Sequence, residues 1–157
     1  MPLVEREDGI WVVFTRRSED VPTHKGQVAF PGGSRDPADA DLEATALREA
    51  EEEVGIPAGD VEVVGRLDDY FTISGFVVAP YVGFVPDGIS WRPNPRECAE
   101  VLEIPLRELL SEGYFAKIFR RAGMKRAVLF YRARGQVVWG ATAAMLRDFL
   151  DRIGEIK

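Results

Sequence analysis

Residues 31–56 read PGGSRDPADADLEATALREAEEEVGI, a glycine turn followed by a stretch that is dense in carboxylates. Asp36 or Asp39 can cap the start of a helix here, because an aspartate side chain accepts hydrogen bonds from the first free N–H groups. Gly55 can end the helix, since glycine readily adopts the left-handed conformation of a C-terminal cap. The pattern therefore predicts a helix over about residues 38–54.

Two kinds of side chain recur along this helix at 3.6 residues per turn. Five apolar side chains fall on one arc, which we expect to face a sheet: Leu42, Ala46, Leu47, Ala50 and Val54. Beside the arc, Glu49, Glu52 and Glu53 come within reach of a single point, whereas Glu51 turns toward solvent.

Three carboxylates at this spacing destabilise an isolated helix. Like charges one turn apart repel by about 0.2–0.5 kcal/mol per pair, and the C-terminal turns already carry the negative end of the helix dipole. A hard divalent cation such as Mg²⁺ would relieve this repulsion, because it prefers carboxylate oxygens. The same residues also suit a solvated acidic helix face, so the glutamates alone leave both interpretations open.

Neighbouring residues favour the metal site. Arg48 is placed to pair with one of the carboxylates or with a phosphate. Gly32 and Gly33 allow the backbone to approach a ligand or a metal just before the helix begins. A glycine turn, a cap and an acidic helix in this order are more specific than any one of them alone.

The rest of the chain alternates strand-like and helical segments. Apolar, β-branched and aromatic runs predict strands at residues 10–15, 61–67 and 76–85 and a hairpin formed by 128–131 and 136–139. Helical patterns occur at 104–110 and 141–153, and polar or proline-rich loops at 18–25, 68–75 and 86–95. Strands flanked by two substantial helices indicate a three-layer α/β arrangement with a mixed sheet.

Composition limits the classes of protein that the chain can represent. Its 157 residues, 46% hydrophobic and 29% charged, predict one globular domain over residues 1–157. The charged N-terminus is unlike a secretory signal and no run is long enough to span a membrane, so we expect a cytoplasmic protein without a membrane partner. Cys98 is the only cysteine, which excludes an internal disulfide and a zinc site made of several cysteines.

The charge balance bears on partners. A net charge of -6 argues against a duplex nucleic-acid binder, because phosphate contacts normally need clustered lysines and arginines. An acidic protein with an anionic substrate needs metal cations, local arginines or both. The sequence leaves open whether the protein acts as a monomer or a homodimer.

The segment from Gly33 to Ile56 resembles the Nudix box. The pattern of that box is Gly, five residues, Glu, seven residues, then Arg-Glu-apolar-any-Glu-Glu-any-Gly-apolar. Its second half matches in full from Arg48 to Ile56. In the first half the acidic position holds Asp39, and one extra residue separates it from Arg48, so the role of Asp39 stays open.

This resemblance implies a fold and a chemistry. The fold is a Nudix-type α/β/α sandwich with a mixed central sheet. Mg²⁺ or Mn²⁺ is held by Glu49, Glu52 and Glu53, with Arg48 as their orienting partner, and these four residues form the expected catalytic set. The implied reaction is the attack of a metal-activated water on one phosphorus of a diphosphate.

A narrower resemblance is to the coenzyme A pyrophosphatase subfamily. Residues 13–18 and 24–33 are similar to the signature that precedes the box in this subfamily, and further similar stretches are residues 36–41, 75–83, 97–106 and 138–142. The signature has an arginine where this chain has Pro22. The resemblance implies that coenzyme A is split into phosphopantetheine and adenosine 3′,5′-bisphosphate.

Such a substrate needs groups that bind phosphates and adenine. Positive charge could come from four residues near the box: Arg16, Arg17, Lys25 and Arg35. Tyr70 or Phe71 could stack on the base, and His24 could contact the substrate or bond to its own loop. The expected substrate-binding residues are Arg17, His24, Gly32, Gly33 and Tyr70.

The sequence leaves open which carboxylates bind the metal directly and which one acts as the general base. Glu49 and Glu53, one turn apart, are the preferred direct ligands, and Glu52 could hold a second metal or accept a proton from the water. Glu97 and Glu100 are candidate bases from the loop before Ile104, although we expect both to be surface carboxylates.

Two other functions remain open. One is a Nudix hydrolase of another nucleoside diphosphate derivative, such as ADP-ribose, a dinucleoside polyphosphate or a nucleotide sugar. The other is a Nudix-fold domain that binds a nucleotide without catalysis. The complete set of Arg48, Glu49, Glu52 and Glu53 counts against the second, because a binding module has no need of mutually repelling carboxylates.

Overall fold

The computed structural model describes residues 1–121 and 124–154. Over these residues the strands are β1 (Pro2–Arg6), β2 (Gly9–Arg17), β3 (Val28–Ala29), β4 (Glu62–Arg66), β5 (Tyr70–Phe71), β6 (Val77–Val78), β7 (Tyr81–Val85), β8 (Cys98–Pro105), β9 (Tyr114–Arg121), β10 (Met124–Ala133) and β11 (Gln136–Trp139). The helices are α1 (Leu42–Val54), α2 (Leu106–Glu112) and α3 (Ala141–Gly154). Within the described ranges, none of the helices combines the length and the apolar character needed to cross a membrane.

Strand β2 organises the main sheet. One edge of β2 pairs with β8 from Trp11 to Arg17. The other edge of β2 pairs first with β1 and then with β3. The remaining strands extend the sheet on both sides in the order β4-β7-β1-β2-β3-β11-β10-β9. Strand β1 is parallel to β7 and β3 is parallel to β11, whereas the other pairs are antiparallel, so the sheet is mixed as expected.

Alternate residues of β2 enter two separate cores. Val12 and Phe14 pack with residues of α2 and α3 on one face of the sheet. Val13, between them, packs with Val54 of α1 on the other face. Because successive side chains of a strand point to opposite faces, this alternation places helices on both sides of the sheet. The predicted α/β/α sandwich is confirmed.

The start of α1 lies later than predicted. The helix begins at Leu42, and its cap is Asp41, whose carboxylate accepts the Ala44 N–H at 2.8 Å. The caps expected at Asp36 and Asp39 are wrong, because residues 36–39 form a turn of their own in which the Asp39 N–H donates to the Asp36 carbonyl at 3.0 Å. Asp41 was not among the caps expected from the sequence.

The prediction that five apolar side chains of α1 face the sheet is confirmed only in part. Ala50 and Val54 are buried against the sheet, and Ala46 and Leu47 are half-buried. Leu42 is 42% exposed, because it is the first residue of the helix and lies beyond the sheet contact. Gly55 ends the helix as predicted, in the left-handed conformation with φ of 76°.

Several strands differ from the sequence prediction. The segment 76–85 is two strands, since Pro80 lies between β6 and β7 and has no N–H for a ladder. Residues 70–71 form β5, which pairs with β6 in a separate two-stranded sheet. Strands β1, β8 and β9 were not predicted, because their charged residues hide the apolar alternation. The hairpin β10–β11 and helix α3 are confirmed.

Candidate active site

The turn between β3 and α1 lies directly against two glutamates of the helix. The Gly32 N–H donates a hydrogen bond of 3.2 Å to Oε2 of Glu53. At Gly33, an added Cβ would stand 2.4 Å from the carboxylate of Glu49, so only glycine permits this close approach. The glycine pair therefore brings the backbone onto the carboxylates, and its approach to a ligand or a metal stays a prediction.

A third glutamate reaches the same place from the loop before β8. In this loop the Arg92 N–H donates to the Val54 carbonyl at 2.9 Å and the Asn94 N–H donates to the Glu53 carbonyl at 2.8 Å. These bonds satisfy carbonyls that the end of a helix leaves without partners. Glu97 follows, and its own carbonyl accepts the Ser18 N–H at 2.8 Å. The loop thereby ties Glu97 to both α1 and β2.

The carboxylates of Glu49, Glu53 and Glu97 form a cluster. Each offers an oxygen that lies within 4.8 Å of the other two. Glu53 is buried with 6% exposure, Glu49 is half-buried and Glu97 is exposed. Glu97 was expected to be an isolated surface carboxylate, but its exposed side chain belongs to this cluster. Glu100, the other candidate base, lies within β8 and pairs with Arg16 at 3.1 Å.

Burial makes the negative charge of this cluster unfavourable. Loss of solvation raises the pKa of Glu53 to about 7, and the negative charges of Glu49 and Glu97 add to this rise, against the lowering effect of the Gly32 N–H. Burial also raises the pKa of Glu49. Carboxylates that resist ionisation in a shared site are stabilised in their charged form by a cation.

The geometry fits a hard divalent cation. Mg²⁺ binds oxygen at about 2.1 Å, so two ligand oxygens on opposite sides of the ion are about 4 Å apart. Two ligand oxygens at right angles are about 3 Å apart, so the cluster oxygens, which lie within 4.8 Å of one another, would have to draw closer together to share one ion. Carboxylate oxygens are also the donors that Mg²⁺ and Mn²⁺ prefer.

Arg48 connects the cluster to the turn before the helix. Its guanidinium donates to both oxygens of Asp39, at 2.9 and 3.1 Å, and to the Ser34 carbonyl at 3.0 Å. It also pairs with Glu49 at 3.1 Å and with Glu52 at 3.0 Å. Arg48 therefore contacts a carboxylate of the cluster, and the orienting role that the resemblance implies stays a prediction.

Asp39 is the main partner of Arg48. Its side chain is 7% exposed and also accepts the Thr45 hydroxyl at 2.8 Å. Hydrogen bonds from Arg48 hold the pKa of Asp39 well below its usual range. Asp39 and Arg48 therefore form an ion pair, although the spacing between them is one residue longer than in the box.

Glu52 has a different environment from the other two glutamates of the helix. Its carboxylate is exposed and pairs with Arg48 one turn earlier. Among the described residues, the group of carboxylates within 4.8 Å contains Glu97 in place of Glu52. A direct role of Glu52 as a metal ligand stays a prediction.

Arg17 is the arginine among the expected substrate-binding residues. Its positive charge lowers the pKa of Glu53. Its Nε is buried and has no hydrogen-bond partner within the described part of the chain. An unpaired buried donor costs free energy unless a ligand satisfies it.

The remaining predicted binding side chains lie on other loops and strands or already have hydrogen-bond partners. His24 is exposed in the β2–β3 loop, with φ of 57° and its carbonyl bonded to the Gln27 N–H. Tyr70 is half-buried in β5, next to the exposed Phe71. Three basic residues complete the set: Arg16 donates to Glu100 and Gln136, Arg35 donates to the Asp39 carbonyl, and Lys25 is exposed.

Comparison with known proteins identifies the family. The NUDIX domain family matches residues 1–123 of this chain. The chain belongs to the Nudix family. Among curated relatives of this Nudix protein, the Nudix hydrolase NudL of Yersinia enterocolitica is 44% identical over 154 residues, which cover 98% of the chain and 78% of the relative. The Nudix hydrolase NudL of Photorhabdus laumondii is 43% identical over 143 residues, covering 90% of the chain and 76% of the relative.

Solved structures agree on the Nudix fold. The MutT protein from Methanosarcina mazei aligns over 98% of the chain and 89% of its own length, with a TM-score of 0.60 and 21% identity. An Ap4A hydrolase binary complex from C. elegans aligns over 70% of the chain and 80% of its own length, with a TM-score of 0.59 and 16% identity.

Membership in the family defines the general activity. The protein is a Nudix hydrolase that acts on a nucleoside diphosphate derivative. Nudix hydrolases generally use divalent metal ions, and the acidic cluster at α1 provides suitable ligands. The names of the NudL relatives specify a hydrolase and leave the substrate unspecified.

Proposed function

We propose that this Nudix hydrolase cleaves the diphosphate of coenzyme A or its derivatives, releasing phosphopantetheine and adenosine 3′,5′-bisphosphate. One observation carries the proposal. The stretches that resemble the coenzyme A pyrophosphatase signature, residues 13–18 and 24–33, are β2, its following loop and β3, which end beside the carboxylate cluster. The residues that distinguish this subfamily therefore border the reacting diphosphate in the proposed complex.

Three carboxylates would hold the metal in this proposal. Glu49, Glu53 and Glu97 supply oxygens from a helix and a loop that are fastened to each other by backbone hydrogen bonds. A bound Mg²⁺ or Mn²⁺ supplies activation of water and neutralisation of charge on the diphosphate. Glu52, exposed beside Arg48, stands where it could meet a second cation or take a proton.

Arg17 and the glycine turn would hold the diphosphate. The unpaired Nε of Arg17 is a donor that a phosphate oxygen can satisfy, with the planar fork that suits phosphate. Arg48 keeps its guanidinium on Asp39 and Glu49, so its part is to orient the carboxylates. Once bound, the phosphate would restore the hydrogen bond that the folded protein lacks at Arg17.

A second candidate is a hydrolase of ADP-ribose, a dinucleoside polyphosphate or a nucleotide sugar. Pro22 favours it, since the subfamily signature has an arginine at this position and Pro22 supplies no positive charge. The Nudix domain of a Shewanella oneidensis NrtR, solved with ADP ribose, shares the fold at a TM-score of 0.51 and 18% identity. Both candidates use the same carboxylate cluster and differ in what binds beyond the diphosphate.

Product analysis would separate these candidates. The protein is incubated with Mg²⁺ or Mn²⁺ and, in separate reactions, coenzyme A, ADP-ribose, a dinucleoside polyphosphate and a nucleotide sugar. We expect the highest kcat/KM for coenzyme A, with phosphopantetheine as a product. A higher kcat/KM for ADP-ribose would refute coenzyme A as the preferred substrate, and absence of metal-dependent turnover on every substrate would refute catalysis.

The metal assignment has its own test, in which two glutamates of the β8 region are compared. Glu97→Gln removes a proposed ligand and should lower kcat about 100-fold, as loss of metal-site contacts does. Glu100→Gln removes the same charge outside the cluster and should retain wild-type turnover. Equal rates for the two variants would exclude Glu97 from the metal site.

A further inference from the structure

Positive charge is concentrated in one part of this acidic chain. Residues 114–139 contain no aspartate or glutamate, although the chain has 26. They contain seven of its 20 lysines and arginines, namely Lys117, Arg120, Arg121, Lys125, Arg126, Arg132 and Arg134. This segment forms β9, β10 and β11, at one end of the main sheet. Such segregation in a protein of net charge -6 indicates an anionic ligand at these strands.

The three strands have one covered and one uncovered face. Tyr131 and Ala133 of β10 are buried in the core that contains α3. Phe130 and Arg132 alternate with them and therefore point to the opposite face. Register places Phe115 and Trp139 on that same face, because each is directly opposite Phe130. We call it the aromatic face, defined by Phe115, Lys117, Phe119, Phe130, Arg132 and Trp139.

The rings of the aromatic face stand in a row. The Phe115 and Phe130 centroids are 5.2 Å apart with 10° between the planes, and those of Phe130 and Trp139 are 6.2 Å apart with 13°. Trp139 is 39% exposed and Phe119 is 50% exposed. Apolar rings left in water at this density mark a surface that binds something.

Two cations flank the rings. Lys117 Nζ is 5.5 Å from the centroid of Phe130, and the Arg132 guanidinium carbon is 5.0 Å from the centroid of Phe115. Neither cation forms an ion pair with any residue in the described ranges. Aromatic platforms bordered by unneutralised cations recognise ligands that join a planar base to a phosphate.

The aromatic face continues the sheet surface on which the carboxylate cluster lies. Val13 of β2 packs under α1, and Arg17, four residues later and paired with Cys98 of the same core, belongs to this face of the sheet. Strand β3 separates β2 from β11, so Trp139 is two strand spacings from β2, about 10 Å. Trp139 and Arg17 therefore lie on one face of the sheet, on strands that are separated by β3 alone.

We propose that the aromatic face binds the phosphorylated nucleoside end of the substrate. The adenine stacks on Trp139 and its neighbouring rings, and the 3′-phosphate pairs with Lys117 and Arg132. The identity of this ligand rests on the function proposed above. The assignment gives the base a platform different from Tyr70, which belongs to the separate β5–β6 sheet. It also provides positive charge for the 3′-phosphate in a chain where the signature arginine is replaced by Pro22.

A pair of matched variants on β9 tests the assignment. Lys117 and Arg120 are both exposed and lie on the same strand, three residues apart and on opposite faces. Lys117→Glu should raise KM for coenzyme A about tenfold, because it replaces an attractive contact with the 3′-phosphate by a repulsive one. Arg120→Glu makes the same change of charge on the other face and should leave KM unchanged. Lys117→Gln gives the same direction of effect if the glutamate variant folds poorly.

The substrate itself provides the second control. Dephosphocoenzyme A lacks the 3′-phosphate, so Lys117→Glu should change its KM less than about twofold. Binding of adenosine 3′,5′-bisphosphate, followed by calorimetry, should weaken in Lys117→Glu and persist in Arg120→Glu. This binding needs no turnover: if the bisphosphate binds in this way but coenzyme A is not cleaved, the proposed function fails and the aromatic face stands.

Three results would overturn the assignment. The first is a KM and a bisphosphate affinity that are equal in Lys117→Glu and Arg120→Glu. The second is tight binding of single-stranded RNA that Lys117→Glu abolishes while KM for coenzyme A stays constant, which would make the face a nucleic-acid surface. The third is a wild-type dimer in sedimentation that Lys117→Glu dissociates with unchanged KM, which would make the face a subunit interface.

Discussion

Replacement of Glu53 by glutamine should stabilise the metal-free protein and remove its activity. Glu53 is almost fully buried, and burial raises its pKa from 4.5 to about 7. The unfolded chain releases this proton near pH 4.5, whereas the folded protein keeps it until about pH 7. Between these values the unfolded chain binds fewer protons, so the free energy of unfolding falls as the pH rises and the full penalty is present above pH 7.

The size of this penalty follows from the two pKa values. The difference between 4.5 and about 7 corresponds to an upper limit of about 3 kcal/mol. Glutamine resembles the neutral carboxyl and can still accept the Gly32 N–H, so the variant avoids the cost of ionisation. For a protein of this size, about 3 kcal/mol amounts to roughly 6–12 °C in Tm.

Thermal unfolding with a chelator, from pH 5 to pH 8.5, measures the effect. We expect the Tm of Glu53→Gln to exceed that of the wild type at pH 8 and to approach it near pH 5. Groups that titrate alike in both proteins drop out of the difference between their Tm values. Glu51→Gln, which removes an exposed charge from the same helix, should follow the wild-type pH dependence. Parallel Tm curves for wild type and Glu53→Gln would refute the account of the buried carboxylate.

Addition of metal should reverse the order. Mg²⁺ or Mn²⁺ stabilises the folded protein in proportion to its binding there, so the Tm of the wild type should rise with metal concentration at pH 8. Glu53→Gln should show little rise and almost no turnover, because it lacks one of the proposed ligands. A variant that kept both its metal-dependent rise in Tm and its turnover would require another metal site.

Two further substitutions test the surroundings of the cluster. Gly33→Ala would place a Cβ 2.4 Å from the carboxylate of Glu49, so the Glu49 side chain must move away and the Mg²⁺ concentration for half-maximal turnover should rise about tenfold. Gly59→Ala is the control, because its new Cβ meets no atom within 4 Å. This variant should have the same half-maximal Mg²⁺ concentration as the wild type. Asp39→Asn removes the charge that holds Arg48, so it should lower kcat about tenfold with little change in KM. A wild-type kcat in steady-state kinetics would contradict a positioning role of Asp39.

Features that depend on neighbouring residues were predictable from the sequence. The position of Gly55 at the end of α1, the spacing of Glu49 and Glu53 by one turn, and the glycine turn before the helix are all local patterns. Helical periodicity and glycine conformation act within a few residues, so they hold wherever the segment packs. The Nudix sandwich and its chemistry were implied by the resemblance of these local patterns to the Nudix box.

Features that join distant segments required the tertiary structure. Glu97 is 44 residues from Glu53 in the sequence, and its place in the cluster depends on backbone bonds from its loop to the end of α1. The ion pair of Asp39 with Arg48 was not predicted, because the spacing between them differs from that of the box. The row of rings on the aromatic face likewise depends on the register in which β9, β10 and β11 pair.

The sequence by itself determined the acidic helix, its glycine turn and the family to which they belong, because short-range geometry converts residue spacing directly into a shared helix face. The tertiary structure decided which carboxylates meet, where the helix starts and which sheet face stays open. These outcomes depend on hydrogen bonds and packing between segments that are far apart in the chain. A local sequence pattern does not predict the energies of such long-range contacts.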